Sequence, residues 1–371
     1  MPIVNWTDIK ANRIAQCLGT PGGRITIGID GYIDEVWQIV ASRKSRTDRT
    51  LYSKVSDFAK DVYDCGEGGY SNEIVRKSRT YGGFTANTGK AAAKLGASTT
   101  FLGMFGRDTI DPAFKEFQES HKLISVGDPG ISQIFEFENG KIMLPFIEEI
   151  MDFNWDSLVS VLSWDELKSA FTTPTMVALG YWSLLPAFDE IIAKIYENFM
   201  SEGQCKRIFF DFADIRKRDK QSLDDTLRKL SILNKTVPMT LSLNEHEAAL
   251  LFSYMGEHFS EDPATSEKET AAVRQIIGLD ELIVHTPHLA VASNSNEGTA
   301  CVLQNYCNKP VITTGAGDNF NGGYMAACVC GGKLELHERL YVANATTGFY
   351  IRNGRSPDLD DVIYEMNTFA Q

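Results

Sequence analysis

An α/β fold is predicted by three observations on this 371-residue chain. Apolar runs alternate with amphipathic stretches over most of its length, the pattern of strands separated by helices. Two glycine-rich turns, in Tyr81–Lys90 and Thr313–Gly323, each open a helical pattern. Apolar runs also end in acids, as at Gly28–Asp34 and Arg207–Asp211, and strand ends in open α/β sheets are where ligands bind.

Taken in order, the predicted strands are Arg24–Gly28, Thr99–Gly103, Met176–Leu179, Arg207–Asp211, Thr240–Leu243 and Glu281–His285. Predicted helices lie between them: Ala86–Leu95 after a Gly-Gly turn, Ala187–Met200 with apolar residues at helical spacing, and Glu245–Tyr254 after the fifth strand. Two regions break the rhythm. Residues 42–80 are long, polar and mixed in charge. Residues 131–147 alternate around Asn139-Gly140, a hairpin signal. Insertions of this kind cover active sites or decorate surfaces, and length alone does not choose.

Composition narrows the function classes. With 43% hydrophobic and 23% charged residues the chain has the make-up of a globular protein. A formal net charge of -13 argues against nucleic acid, which selects Lys/Arg-rich surfaces, but leaves room for a small phosphorylated ligand. No apolar run approaches the ~18 residues needed to span a bilayer, so no membrane partner is expected. The first ten residues show no basic region followed by an apolar stretch, and the seven cysteines form no C-x-x-C pair. A cytoplasmic protein with reduced thiols is expected.

Each motif has a chemical and a plainer structural reading. Tyr81–Lys90 is not a Walker A loop: five residues separate Gly83 from Gly89 where four are needed, and Ala91 stands where a Ser or Thr would bind magnesium. It remains a Gly-Gly turn with Asn87 in the first helical turn, suited either to a polar substrate or to capping. Asp30 and Asp34 can accept hydrogen bonds from vicinal hydroxyls, or cap a turn. Asn244 and Glu247, three apart, suit a hard cation held through waters beside phosphates, or form a capping box. In Arg207–Arg218, Asp211 ends a strand and Arg216 or Arg218 can reach phosphate; a solvated charge cluster is the plainer reading.

The segment Thr313–Gly323 is the most specific. Gly315, Ala316 and Gly317 lie where a helix begins, so their N–H groups and the helix dipole make an anion site. A dinucleotide fingerprint is excluded by the misplaced third glycine and by the acid, Asp318, directly after the second. A carboxylate beside an anion hole makes sense as a base, taking a proton from an attacking hydroxyl while the N–H groups stabilise a transferring phosphoryl group.

Together, Y-G-G-F-T-A-N-T-G-K-A-A-A-K-L-G-A (81–97), L-S-L-N-E-H-E-A (241–248) and G-A-G-D-N-F-N-G-G (315–323), in this order, resemble the signatures of the ribokinase-type (PfkB) carbohydrate kinase family. The resemblance spans Gly28 to roughly Pro357. It implies a three-layer α/β/α, mostly parallel sheet in one kinase domain, residues 1–371, with a small β lid from about 35–80 and 131–147. It implies transfer of the ATP γ-phosphoryl group, with Mg²⁺, to an alcohol of a sugar, sugar acid or polyol. By the same resemblance Asp318 is the base, and Gly315, Ala316 and Gly317 form the anion hole. Asn244 and Glu247 organise Mg²⁺; Asn244, Thr314 and Asn344 contact nucleotide; Asp34, Gly82, Gly83 and Asn87 hold the acceptor. A homodimer paired through the lid is also implied.

The chain departs from that pattern at three places. Ile312 replaces an Asp that helps many members bind a monovalent cation, which argues against potassium activation. His285–Ala290, H-T-P-H-L-A, replaces a glycine-rich nucleotide loop. The 42–80 insertion is longer than a two-strand lid, and its aromatics Tyr52, Phe58, Tyr63 and Tyr70 leave open a nucleoside kinase of the same fold. A catalytically silent binding protein is the third reading.

Overall fold

The computed structural model describes residues 11–200, 203 and 205–369; the first ten residues, read above for a leader, lie outside them. The strands in chain order begin with β1 (Arg24–Gly28), β2 (Tyr32–Arg43), β3 (Arg49–Leu51), β4 (Ile74–Gly82), β5 (Ser98–Gly103), β6 (Lys122–Ser125) and β7 (Gly130–Phe137). They continue with β8 (Gly140–Phe146), β9 (Met176–Leu179), β10 (Arg207–Asp211), β11 (Met239–Asn244), β12 (Glu281–His285), β13 (Leu289–Asn294) and β14 (Gly298–Leu303). The helices start with α1 (Ala11–Leu18), α2 (Val55–Asp64), α3 (Phe84–Lys94), α4 (Lys115–Ser120), α5 (Glu148–Asp152), α6 (Trp155–Val161) and α7 (Trp164–Thr172). The rest are α8 (Phe188–Ile195), α9 (Lys220–Leu233), α10 (Glu245–Tyr254), α11 (Pro263–Ile277), α12 (Ala316–Val329), α13 (Leu336–Asn353) and α14 (Leu359–Phe369).

Strands buried on both faces must be apolar almost throughout. β9 and the inner part of β10 meet that condition, and they lie inside a nine-stranded sheet of order β14-β13-β12-β11-β10-β9-β1-β5-β6. From β6 to β12 the pairings are parallel, while β13 and β14 return antiparallel at one edge. Helices cover both faces over two hydrophobic cores, one built around Trp182, Phe210 and Leu241, the other around Phe84, Phe101 and Tyr324. The chain leaves β1 towards β5 and later restarts at β9 on the other side of β1. That reversal opens a crevice at the strands' carboxyl ends, where α/β sheets bind ligands.

The mostly parallel sheet and the separate small sheet match the fold expected from the resemblance. The strands expected at 24–28, 176–179, 207–211 and 281–285 and the helix at 245–254 have those same bounds. Three boundaries differ for identifiable reasons. The helix expected from Ala86 begins at Phe84, because the buried Asp30 carboxylate accepts hydrogen bonds from the N–H groups of Phe84 and Thr85, both 2.8 Å, and from the Thr85 hydroxyl. The helix expected over 187–200 turns π-helical at Tyr196–Met200. The hairpin's two-residue turn is Glu138-Asn139, not Asn139-Gly140, since Gly140 already pairs with Phe137.

The small sheet has the order β3-β2-β7-β8, with β4 also paired to β2. It begins at Tyr32, three residues before the expected lid segment, and the 42–80 region contributes β3, helix α2 and most of β4. Its aromatics pack on one another: Phe58 lies 5.5 Å from Tyr52, 5.8 Å from Tyr70 and 5.9 Å from Phe137, ring centre to ring centre. They form the lid's own small core, while Tyr63 is exposed. Arg79 on β4 ties this sheet to the main body by a forked pair of bonds to Asp111 (2.6 and 2.7 Å), and within the small sheet it also bonds Glu35 of the paired β2 (3.1 Å).

Candidate active site

A cleft of about 680 Å³ opens over the carboxyl ends of β9 to β12, and Tyr181, Asp211, Asn244 and His285 line it directly at or after those ends. Its far wall is the start of α12, from Gly315 to Asp318, with Thr347 and Ile351 of α13 beside it.

Gly315 caps α12 in the left-handed region (φ 82°), where a side chain would also meet the Tyr350 hydroxyl at 2.9 Å. The Ala316 N–H turns back to the Thr313 carbonyl (3.1 Å), so it is engaged in the turn. Among the described residues, the N–H groups of Gly315, Gly317 and Asp318 meet no protein acceptor, and they stand at the helix start on the cleft wall, a place whose dipole would favour an anion. The loop keeps its shape through α13. Tyr350 donates to the Thr314 carbonyl (2.7 Å), Thr347 to the Ala316 carbonyl (2.8 Å), and the N–H groups of Val311 and Ile312 reach the Ile351 carbonyl (2.8 and 3.4 Å).

Asp318 sits in the first turn of α12 and is buried. Its carboxylate accepts hydrogen bonds from the Asn87 amide (3.0 Å) and the Thr88 hydroxyl (3.3 Å) of α3. The two helices approach closely because Gly322 of α12 has no side chain; a Cβ there would lie 2.5 Å from that of Ala91. Burial, and then the charge of Asp211, push the Asp318 carboxyl up to about 8, with the Asn87 bond pulling the other way. Burial also raises Asp211, whose carboxylate accepts from Ala213 N–H and from the Asn321 amide, both 2.7 Å. Glu247 is raised by burial and by Asp211. His285, half-buried at the cleft against Phe320, is lowered to about 4 by burial and is therefore neutral near pH 7.

Asn244 and Glu247 form a reciprocal capping box on α10: each backbone N–H bonds the other's side chain at 3.0 Å. Both also line the cleft, so the box holds two hard oxygen-bearing side chains at its edge. Among the described residues no group of three or more His, Cys, Asp or Glu makes a metal cage. Two oxygen-bearing side chains at the cleft's edge fit a magnesium ion that takes most of its ligands from phosphates and water.

The remaining predicted residues lie outside the cleft wall. Asp34 on β2 lies opposite Ser132 on β7, which hydrogen-bonds its carboxylate; burial raises its pKa, and the Ser132 bond and the nearby Lys141 oppose that. Gly82 leaves room for the Asp34 carboxylate, as Gly83 does for that of Asp30. Asn87 reaches the cleft only through Asp318. Thr314 holds Lys141 from the lid, Nζ to Oγ1 2.8 Å. Asn344 is buried with its amide on the carbonyls of Val302 and Leu303 (3.3 and 3.4 Å), so it pins α13 to β14 and does not reach the cleft. Thr347, one turn further along the same helix, is the residue that does.

Tyr181, Gln304, Tyr306 and Asn308 line the cleft without a sequence signal of their own, although Tyr181 follows the expected strand 176–179. The H-T-P-H-L-A stretch is the tight turn between β12 and β13, in which the Thr286 hydroxyl accepts from the N–H groups of His288 and Leu289. His288 stacks on Tyr306 with ring centres 4.8 Å apart.

Residues 9–369 match the model of the prokaryotic ketohexokinase family. A ketohexokinase from Haloferax volcanii is 28% identical over 348 residues, covering 92% of this chain and 90% of that protein. Among solved structures, Arabidopsis thaliana ribokinase complexed with ribose and ATP superposes with a TM-score of 0.64 at 16% identity, covering 93% of this chain and 99% of that one. Phosphofructokinase-2 from Escherichia coli does so at 0.63 and 14%, covering 94% and 100%. The two structures share the fold, and the family match extends over nearly the whole chain: it belongs to the prokaryotic ketohexokinase family and is a carbohydrate kinase of the ribokinase (PfkB) type.

Proposed function

We propose that this kinase transfers the γ-phosphoryl group of ATP to a hydroxymethyl group of a ketohexose. The observation that carries the reading is the buried Asp318 carboxylate at the start of α12, beside N–H groups with no protein acceptor, in a chain of this family. Asp318 takes the proton from the attacking hydroxyl. The hydroxyl oxygen bonds to the γ-phosphorus as the bond to the β–γ bridging oxygen breaks, and ADP leaves. The N–H groups of Gly315, Gly317 and Asp318 bear the charge that builds on the transferring group. Asn87 and Thr88 orient the base, while Asp34 holds acceptor hydroxyls over Gly82.

Asn244 and Glu247 would hold Mg²⁺ through its waters. When bound, the ion neutralises phosphate charge. The same charge relieves the crowding of Asp211, Glu247 and Asp318, which supports its presence. Seven free thiols fit a reducing, cytoplasmic compartment. The lid's edge strand β8 exposes Met143, Leu144 and Phe146, and a second copy of the chain is the occupant we assign to it.

The test is a panel of ketohexoses, aldoses, sugar acids and nucleosides with ATP and magnesium, products read by phosphorus NMR. A ketohexose monophosphate formed in step with ADP is expected. Preferred turnover of a nucleoside, or ligand binding without turnover of any acceptor, would overturn the reading.

A further inference from the structure

The cleft has an unfavourable charge balance for its ligand. Asp211, Asp214, Glu245, Glu247 and Asp318 line it, and Arg216 is the one Lys or Arg among its lining residues. That guanidinium is forked onto its neighbour Asp214 (Nε–Oδ1 2.7 Å, Nη2–Oδ2 2.9 Å). A triphosphate adds several negative charges, so a cation from outside the wall is needed beside the magnesium.

Lys141 is placed to supply it. Its Nζ lies 2.8 Å from Thr314 Oγ1, on the residue immediately before the glycine that caps α12. Its charge also acts on Asp34. The ammonium therefore stands at the helix start, where a γ-phosphoryl group would sit, and near enough to Asp34 for its charge to act there. Among the described residues no carboxylate pairs with it. The stem that carries it is fixed. The Glu138 N–H donates to the Ser53 carbonyl (2.8 Å), the Ser53 hydroxyl to Glu138 Oε2 (2.6 Å), and the Val55 N–H to Asn139 Oδ1 (3.0 Å). Reaching the phosphoryl group takes only rotation of a flexible four-carbon side chain.

We propose that Lys141 is the lid's contact with the transferring phosphoryl group, an inference that rests on the kinase reading above. In the free protein Thr314 holds the ammonium. With ATP bound, Nζ donates to a non-bridging γ oxygen, a bond that strengthens as charge builds there. The lid thereby senses whether a third phosphate is present.

Lys141→Met and Lys141→Arg in the full chain test this. Turnover of the preferred acceptor should fall about 10–100-fold in the Met variant, the scale for one donor to a developing charge, and recover in part with Arg. Calorimetry with magnesium separates this from a structural role. The Met variant should bind a non-hydrolysable ATP analogue about tenfold more weakly while binding ADP as the wild type does. Equal weakening of both nucleotides, or of neither, would overturn the proposal; Lys141→Gln gives the same comparison if the Met variant does not fold. The nucleotide comparison needs no acceptor. A wild-type protein that phosphorylates no ketohexose, yet shows the γ-phosphate effect at Lys141, refutes the acceptor assignment and retains the lysine contact.

Discussion

A general base, the role proposed for Asp318, must be unprotonated when its substrate arrives, yet Asp318 is buried near Asp211 and Asp30, and its carboxyl is pushed up to about 8 from an ordinary value near 3.8. Two consequences follow for this one side chain. Because its folded value lies above its unfolded one, the folded protein holds the proton more tightly, and stability falls as pH rises from about 4 to about 8. Asp318→Asn removes that dependence. The thermal-melting advantage of the variant over wild type should grow between pH 5 and pH 8, by at least ~1 kcal/mol, the worth of a single pKa unit being about 1.4 kcal/mol. An advantage that shrinks with pH would contradict the assignment. Magnesium and nucleotide should narrow the same gap, since an added cation favours the charged carboxylate. The pairing of Asp318 with glycines at a helix start was legible in the sequence. Its partners Asn87 and Thr88 were less so: Asn87 stood out as an acceptor contact or a cap, and its amide bonds the Asp318 carboxylate.

At the next scale the candidate site gathers at helix starts, and those of α3 and α12 are held by groups distant in sequence. α3 begins at Phe84 because Asp30, 54 residues away, accepts its first N–H groups. Gly83 precedes it at φ 89°, and a Cβ there would fall inside van der Waals contact of the Asp30 carboxylate. Gly83→Ala should therefore cost about 2 kcal/mol or more, read as a lower denaturant midpoint at unchanged slope, and should lower turnover by shifting Asn87 and Thr88. A neutral substitution would show that the Asp30 staple is not needed. Apolar runs such as M-V-A-L and R-I-F-F-D set strand positions to the residue, because burial on both faces leaves little choice. Elements whose stability is tertiary escaped: the strands of the 42–80 insertion look polar because one side faces solvent, and the β13–β14 edge carries no glycine-rich signal at its first turn. Asn344 and Thr347 lie one turn apart on α13, and only packing against β14 decides which of them meets the cleft.

For the whole molecule, the proposed function turns on how the small sheet is held against the main body. The Arg79 fork to Asp111 bridges them, and it holds the Asp111 carboxyl below its usual value. Arg79→Met should raise the acceptor KM several-fold with less effect on stability, since a partly exposed pair contributes ~1 kcal/mol or less. Unchanged KM would show that the fork does not position the lid. Leu144→Lys on the exposed edge strand should shift the molecular mass in solution towards one chain if a second copy covers β8; a mass equal to wild type would contradict that. The β7–β8 hairpin of the small sheet was legible from the alternating pattern. The lid's aromatics were not: they fill its own core around Phe58, because a small sheet needs apolar volume to stand away from the main body.

The central claim is that Asp318 takes the acceptor's proton during phosphoryl transfer. Single-turnover transfer from ATP to the preferred ketohexose, measured for wild type and Asp318→Asn with nucleotide binding checked in parallel, tests it directly. A loss of ~10²–10⁴ in the transfer rate with binding retained is the predicted result. Wild-type transfer by the Asn variant would contradict it.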